Sequence, residues 1–118
     1  MADPIARLGA VTIDVSDIQA AKTFWTSLLG VEIEADHGTL VILAAPEGTA
    51  ALFLQQVPEP KSGKNRAHPD FGVADLDEAT ARIEALGGSL LQRQEAGDFH
   101  WNVMADPDGN EFCIAATG

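Results

Sequence analysis

The chain has 118 residues, 46% hydrophobic and 21% charged, so it can bury the core of one domain. Eighteen Asp and Glu residues against seven Lys and Arg give a formal net charge of -11, so we expect no nucleic-acid or anionic-membrane partner. The chain has one cysteine, no apolar run of about 20 residues and no basic, apolar leader, so we expect a cytoplasmic protein without an internal disulfide.

The first predicted elements are a strand and a helix. Apolar and polar residues alternate over Ala10–Val15, which predicts a half-buried strand. Ser16 or Asp17 then caps a helix that ends at Gly30, because a left-handed C-cap favours a residue without a Cβ. The apolar stripe of this helix comprises Ile18, Ala21, Trp25 and Leu28. Three further strands are predicted over Val31–Ala35, Thr39–Ala44 and Ala50–Val57.

The same order of elements begins again after a polar linker over residues 58–67. A strand over His68–Val73 precedes a helix that Asp75 caps and that ends at Gly87 and Gly88. The stripe of this second helix comprises Leu76, Ala79, Ile83 and Leu86. Strands are then predicted over Ser89–Gln94, Phe99–Ala105 and Glu111–Ala115.

A shift of 58 residues aligns the two halves of the chain at positions that end strands, cap helices or end helices. The aligned pairs include Val15 with Val73, Asp17 with Asp75, and Gly30 with Gly88. The sequence therefore predicts an α+β fold of two βαβββ modules, at about residues 8–57 and 68–116. One helix covers only one face of its sheet, so we expect the curved mixed sheets to enclose a cleft suited to a small molecule.

The paired pattern and four phrases of the sequence resemble the vicinal oxygen chelate superfamily. The phrases are Val15-Ser16-Asp17-Ile18, Phe24-Trp25, Leu28-Leu29-Gly30 and Asp106-Pro107-Asp108-Gly109-Asn110. This superfamily includes glyoxalase I, fosfomycin resistance proteins, extradiol dioxygenases and bleomycin resistance proteins. The resemblance covers about residues 8–116 and is strongest to short bacterial glyoxalase-like proteins. It implies the fold and leaves the activity open.

The resemblance also implies where metal-dependent members hold their ion. Their ligands come from the first strand of each module and the last strand of the second, which correspond to Ala10, His68 and Cys113. His68 matches, but alanine donates no electron pair and Cys113 stands where a Glu is usual. We therefore expect no metal cofactor. The alternative, a divalent metal on replacement ligands, would draw on Gln55, Gln56, Glu111 or His100.

His68 is the candidate catalytic residue, because an imidazole that titrates near neutrality serves as a general base or a hydrogen-bond donor. A structural histidine is the alternative interpretation. Asp70 shares a strand face with His68, so it either tunes the imidazole or is a solvated side chain. Cys113 is a candidate ligand contact at the position that the resemblance marks, with a small buried apolar side chain as the alternative.

Aromatic side chains are the other candidate ligand contacts. Trp101 alternates with Phe99 on one strand face, where it either stacks on a planar or cationic ligand or packs in the core. Trp25 either contacts ligand or packs beneath its helix. Phe53 and Gln55 form a further candidate pair on one side of their strand.

Two function classes remain. The first is a small-molecule binding protein of the bleomycin-resistance type, without a catalytic metal, which the acidic charge and aromatic residues suit to a cationic or aromatic ligand. The second is a glyoxalase-like lyase, isomerase or dioxygenase that uses His68, with or without a divalent metal. We favour the first. We also expect a homodimer, because members of the superfamily often complete their clefts by pairing modules across chains.

Overall fold

A computed structural model describes residues 8–65 and 67–116, over which the chain forms eight strands and two helices. Residue 66 of the predicted linker lies outside the described residues. No helix of the described segments is long and apolar enough to cross a membrane. The elements are β1 (Ala10–Val15), α1 (Ile18–Leu29), β2 (Ile33–Asp36), β3 (Leu40–Leu43), β4 (Ala51–Gln56), β5 (Asp70–Val73), α2 (Leu76–Ala85), β6 (Ser89–Ala96), β7 (Phe99–Ala105) and β8 (Glu111–Ala116).

Each half of the chain forms one four-stranded mixed sheet with the same topology. The strand orders are β1-β4-β3-β2 and β5-β8-β7-β6. In both sheets the first strand of the module pairs in parallel with its last strand, and the remaining neighbours are antiparallel. The predicted α+β fold of two βαβββ modules is confirmed.

Both helices begin at the aspartates that the internal repeat aligns. The Asp17 carboxylate accepts a hydrogen bond from the backbone N–H of Ala20 at 3.1 Å. The Asp75 carboxylate accepts one from the backbone N–H of Glu78 at 2.9 Å. Each bond satisfies a donor in the first helical turn that has no partner within the helix. Gly30 ends α1 with φ 64°, in the left-handed region that its missing Cβ permits.

One hydrophobic core spans both modules. Helix α1 packs on its own sheet and also reaches the second sheet through two aromatic side chains. The ring centroids of Phe24 and Trp25 lie 6.1 and 5.0 Å from that of Phe112, in edge-to-face arrangements. The Trp25 ring also lies 5.9 Å from Phe71. Helix α1 is therefore the element through which the two modules share their apolar interior.

Trp25 is fully buried, with an exposed fraction of 0%. Its Nε1–H donates to Oδ2 of Asp106 at 3.1 Å. The other carboxylate oxygen of Asp106 accepts the backbone N–H groups of Asp108 and Asn110 at 3.0 and 2.7 Å. Burial raises the pKa of Asp106 in spite of these hydrogen bonds. The interpretation of Trp25 as a ligand contact is corrected, because the side chain is enclosed in the core.

The turn between β7 and β8 is also bonded to the end of β1. The Asn110 side chain donates to the carbonyl oxygen of Asp14 at 2.9 Å. The backbone N–H of Ser16 donates to the Asp108 carboxylate at 3.0 Å, and the Ser16 hydroxyl contacts the same oxygen. Ser16, the alternative cap of α1 in the sequence, thus connects the modules and leaves the cap to Asp17.

Helix α2 covers the second sheet with fewer apolar side chains than the sequence pattern predicts. Ile83 is buried, but Leu86, which the predicted stripe includes, is 40% exposed. A buried polar contact replaces part of the stripe: the Asn102 amide donates to the Thr80 hydroxyl at 2.8 Å. Gly88 follows the helix where a Cβ would lie 2.7 Å from the Ile83 side chain, so the close approach of the chain requires glycine.

The bond between Trp25 and Asp106 yields a prediction about stability. Replacing Trp25→Phe removes the indole N–H and leaves the Asp106 carboxylate short of one buried donor. We expect the free energy of unfolding in urea to fall by about 1–3 kcal/mol. The control is a double-mutant cycle with Asp106→Ala. A loss of the same size in the Asp106→Ala background would contradict the role given to this hydrogen bond.

Candidate functional site

Three side chains with metal- and proton-binding atoms meet at the start of β5. Nδ1 of His68 lies 3.5 Å from Oδ1 of Asp70 and 3.6 Å from Sγ of Cys113. Asp70 and Cys113 are paired in the parallel register of β5 and β8, and His68 precedes Asp70 by two residues. Side chains two residues apart in an extended segment share a face, which explains how the chain brings the three together. We call these residues the His-Asp-Cys triad.

The triad is open to solvent on one side and buried on the other. The side chains of His68 and Asp70 are 40% and 73% exposed, whereas Cys113 is buried. Burial, followed by the negative charges of Asp70 and Glu111, raises the pKa of the Cys113 thiol to about 11. In the metal-free protein at neutral pH, Cys113 is thus a protonated thiol and a poor nucleophile.

An aromatic pair lies beside the triad on β7. The rings of Phe99 and Trp101 are stacked, with centroids 5.4 Å apart and planes at 29°. Both rings line a cavity of about 430 Å³ that His68, Asp70 and Cys113 also line. Phe99 is 57% exposed, so its ring presents apolar surface to an incoming molecule. Phe99 was not among the site residues predicted from the sequence, although its alternation with Trp101 was the available signal.

His68 also lines two further cavities. One, of about 400 Å³, lies between the modules and is bounded by residues 11–14 of β1 and by Asn110 and Glu111. The other, of about 530 Å³, extends over the second sheet past Trp101 to Lys64 of the linker. His68 therefore lies where three depressions meet, on the side of the second module next to the first.

Glu111 holds the linker against the start of β8. Its Oε1 accepts the backbone N–H of Asn65 at 2.8 Å and lies 3.2 Å from Nζ of Lys61. The Asn65 hydrogen bond, supported by the Lys61 charge, lowers the pKa of Glu111. Glu111 was one of the replacement metal ligands considered from the sequence, but its carboxylate is engaged with the linker.

Phe53 and Gln55 lie farther from His68, on β4 of the first sheet. They pair with Thr12 and Asp14 of β1, which line the cavity between the modules. Neither residue itself lines any of the three cavities beside His68. The register also separates Gln55 from Gln56, because Gln55 shares a face with Thr12 and Asp14 and its neighbour points to the opposite side.

The structure shows which of the metal ligands implied by the superfamily resemblance this chain can supply. Ala10, at the start of β1, offers no donor atom, and its strand partner is Ala51. His100 lies on the face of β7 opposite Trp101, with its Nδ1 3.5 Å from the Glu95 carboxylate. Of the implied ligand positions, His68 alone carries the expected donor, so the residues present do not fit that hard-metal centre.

Comparison with known proteins relates this chain to glyoxalase-like proteins. A family model for the glyoxalase-like domain matches residues 10–115. Glyoxalase 1 from Caenorhabditis briggsae is 27% identical over 122 residues, which cover 96% of this chain and 43% of that protein. The chain thus spans less than half the length of the Caenorhabditis relatives it matches.

A further curated relative and a solved structure match over most of their own length. The glutathione transferase FosA from Serratia marcescens is 28% identical over 114 residues, which cover 92% of this chain and 79% of that protein. FosX from Listeria monocytogenes, solved with Mn(II) and 1S,2S-dihydroxypropylphosphonic acid, has a TM-score of 0.79 at 17% identity. The match covers 98% of this chain and 93% of that chain. At this identity, the likeness to FosX establishes a shared fold.

The lowered pKa of Glu111 yields a pH-dependent prediction. Its stabilising contribution is fully present above the ordinary carboxyl pKa of 4.5 and is lost as the pH falls through the lower folded-state value. We expect Glu111→Gln to lower the free energy of unfolding by about 1 kcal/mol at pH 7 and by less at pH 3. Urea titrations at several pH values measure the difference. Glu84→Gln, at an exposed position on α2, is the control, and a pH-independent deficit in Glu111→Gln would contradict the prediction.

Proposed function

The chain belongs to the glyoxalase-like domain family of the vicinal oxygen chelate superfamily, and from this premise we propose that it is a small-molecule binding protein of the glyoxalase/bleomycin-resistance type. The proposed site is the cavity beside Trp101, with His68, Asp70 and Cys113 around it. Fold membership alone does not choose a ligand, so the proposal depends on the side chains of this cavity.

The stacked pair of Phe99 and Trp101 is the observation that carries the proposal. Aromatic faces attract planar rings by stacking and cations through the ring quadrupole. The exposed carboxylate of Asp70 adds negative charge to the same cavity, within a chain of net charge -11. These features favour a cationic or aromatic ligand over an anionic one.

The proposed recognition uses no catalytic metal of the kind that the resemblance implies. Ala10 lacks a donor and Cys113 replaces the usual carboxylate, so a hard divalent ion would lose two of its ligands. Aromatic contact and charge would therefore supply the binding energy.

The second candidate function is a glyoxalase-like lyase, isomerase or dioxygenase with His68 as the catalytic acid or base. The 3.5 Å approach of Asp70 to Nδ1 of His68 favours it, because a carboxylate at this distance orients an imidazole for proton transfer. A reaction detected with any bound compound and lost in His68→Ala would replace the binding proposal with this one.

We also propose that the protein is a cytoplasmic homodimer. Leu91, on β6, is 53% exposed and would be covered by a second copy. The free thiol of Cys113 suits a reducing compartment. Sedimentation velocity should give twice the mass of the chain, with Leu91→Glu shifting the distribution towards monomer. A concentration-independent monomer would contradict the dimer.

The aromatic contact can be tested with a panel of planar aromatic cations and their neutral analogues. We expect the cations to quench tryptophan emission, and Trp101→Ala to weaken their binding by about 1–2 kcal/mol, or five- to thirtyfold. Calorimetry measures the variant, because Trp101→Ala removes the fluorescent reporter.

The matched control is His100→Ala, because His100 precedes Trp101 on β7 and lies on the opposite face. This variant should bind the panel as the unaltered protein does. His68→Ala should bind more weakly while keeping the unfolding midpoint. Equal affinity of Trp101→Ala and the unaltered protein would overturn the stacking proposal.

A further inference from the structure

The His-Asp-Cys triad combines three types of donor atom that bind zinc. It offers an imidazole nitrogen, a carboxylate oxygen and a sulfur, and these ligand atoms all lie within 4.8 Å of one another. We infer that His68, Asp70 and Cys113 form a binding site for a thiophilic divalent ion of the Zn²⁺ class. The second module supplies all three ligands, so the site does not need the position that Ala10 occupies.

The two distances from His68 to the other members of the triad agree with tetrahedral coordination. With zinc–ligand bonds of about 2.0–2.3 Å, a tetrahedral ion holds neighbouring donor atoms about 3.3–3.6 Å apart. Nδ1 of His68 lies 3.5 Å from the Asp70 carboxylate and 3.6 Å from the Cys113 sulfur. Small side-chain rotations would therefore place an ion between the three ligands.

The backbone holds these ligands in place before any ion binds. Asp70 and Cys113 are neighbours in the parallel ladder of β5 and β8. The Cys113 N–H donates to the carbonyl oxygen of Pro69 at 3.0 Å, which fixes the segment between His68 and Asp70. Asp70 and Cys113 thus lie on paired strands, and ligands held in this way require less ordering on metal binding than ligands on loops.

Charge and donor type indicate which ion the triad selects. A thiolate and a carboxylate together neutralise a divalent ion, and the thiol proton leaves to solvent when the metal binds. Sulfur ligation favours Zn²⁺ or Co²⁺ over Mg²⁺ and Mn²⁺, which prefer oxygen. Three protein ligands leave a fourth position towards the solvent-exposed side of His68 and Asp70. This inference goes beyond the aromatic recognition proposed above: the ion would share His68, Asp70 and Cys113 with that cavity but would require none of the aromatic side chains.

Cobalt(II) spectroscopy tests this inference directly, because Cys113 is the chain's single cysteine. The probe is Co²⁺ alone, added to reduced, metal-free, tag-free protein. We expect one ion per chain, with the near-ultraviolet band of thiolate-to-cobalt charge transfer and the strong visible bands of four-coordinate cobalt. Stoichiometric Zn²⁺ should remove these bands, and excess Mg²⁺ should leave them unchanged.

Substitution of each proposed ligand tests whether that side chain binds the ion. Cys113→Ser should abolish the charge-transfer band, and His68→Gln or Asp70→Asn should weaken cobalt binding at least about tenfold. His100→Ala is the matched control and should bind cobalt unchanged. The exposed Asp70→Asn substitution keeps the test valid if Cys113→Ser is unstable.

Two results would overturn the metal site. One is the absence of a charge-transfer band at stoichiometric cobalt. The other is an equal affinity in the unaltered protein, His68→Gln and Asp70→Asn, which would indicate a contact with the thiol alone. Trp101→Ala separates this inference from the proposed function, because it should retain cobalt binding while binding aromatic cations more weakly.

Discussion

The buried hydrogen bond from Trp25 to Asp106 joins the two modules at the centre of their shared core. Through this bond, the turn between β7 and β8 is held against α1. Asn110 in the same turn donates a hydrogen bond to the backbone at the end of β1. Burial of a charged carboxylate is unfavourable unless its oxygens are hydrogen-bonded, so Trp25 and the turn N–H groups constrain where the second sheet can lie. The cavity between β1 and His68 depends on that placement.

The repeated modules carry different chemistry at equivalent positions. The shift of 58 residues aligns Ala10 with His68 and Thr12 with Asp70. The strand register extends the correspondence, because Thr12 pairs with Phe53 as Asp70 pairs with Cys113. Where the second module has the His-Asp-Cys triad, the first therefore has alanine, threonine and phenylalanine. The first module supplies apolar lining, and the second concentrates the donor atoms and ionisable groups.

Local patterns in the sequence were sufficient to predict the strands and helices. They were insufficient to predict several contacts between residues distant in the chain. The alternation over Ala10–Val15 and the capping aspartates gave strand and helix starts that the structure reproduces. The choice between Ser16 and Asp17 as the cap of α1 required knowledge of Asp108, which lies in the other module. The exposure of Leu86 likewise depends on how α2 sits on its sheet, and helical periodicity does not contain that information.

The sequence by itself determined the repeated βαβββ order, the alternation of strand faces and the loss of a donor at Ala10, because these depend on neighbouring residues and on side-chain chemistry. Only the tertiary structure decided that Trp25 belongs to the core, that Glu111 holds the linker and that Cys113 meets His68 and Asp70. Those outcomes depend on strand register and module packing, which join residues more than 40 positions apart in the chain.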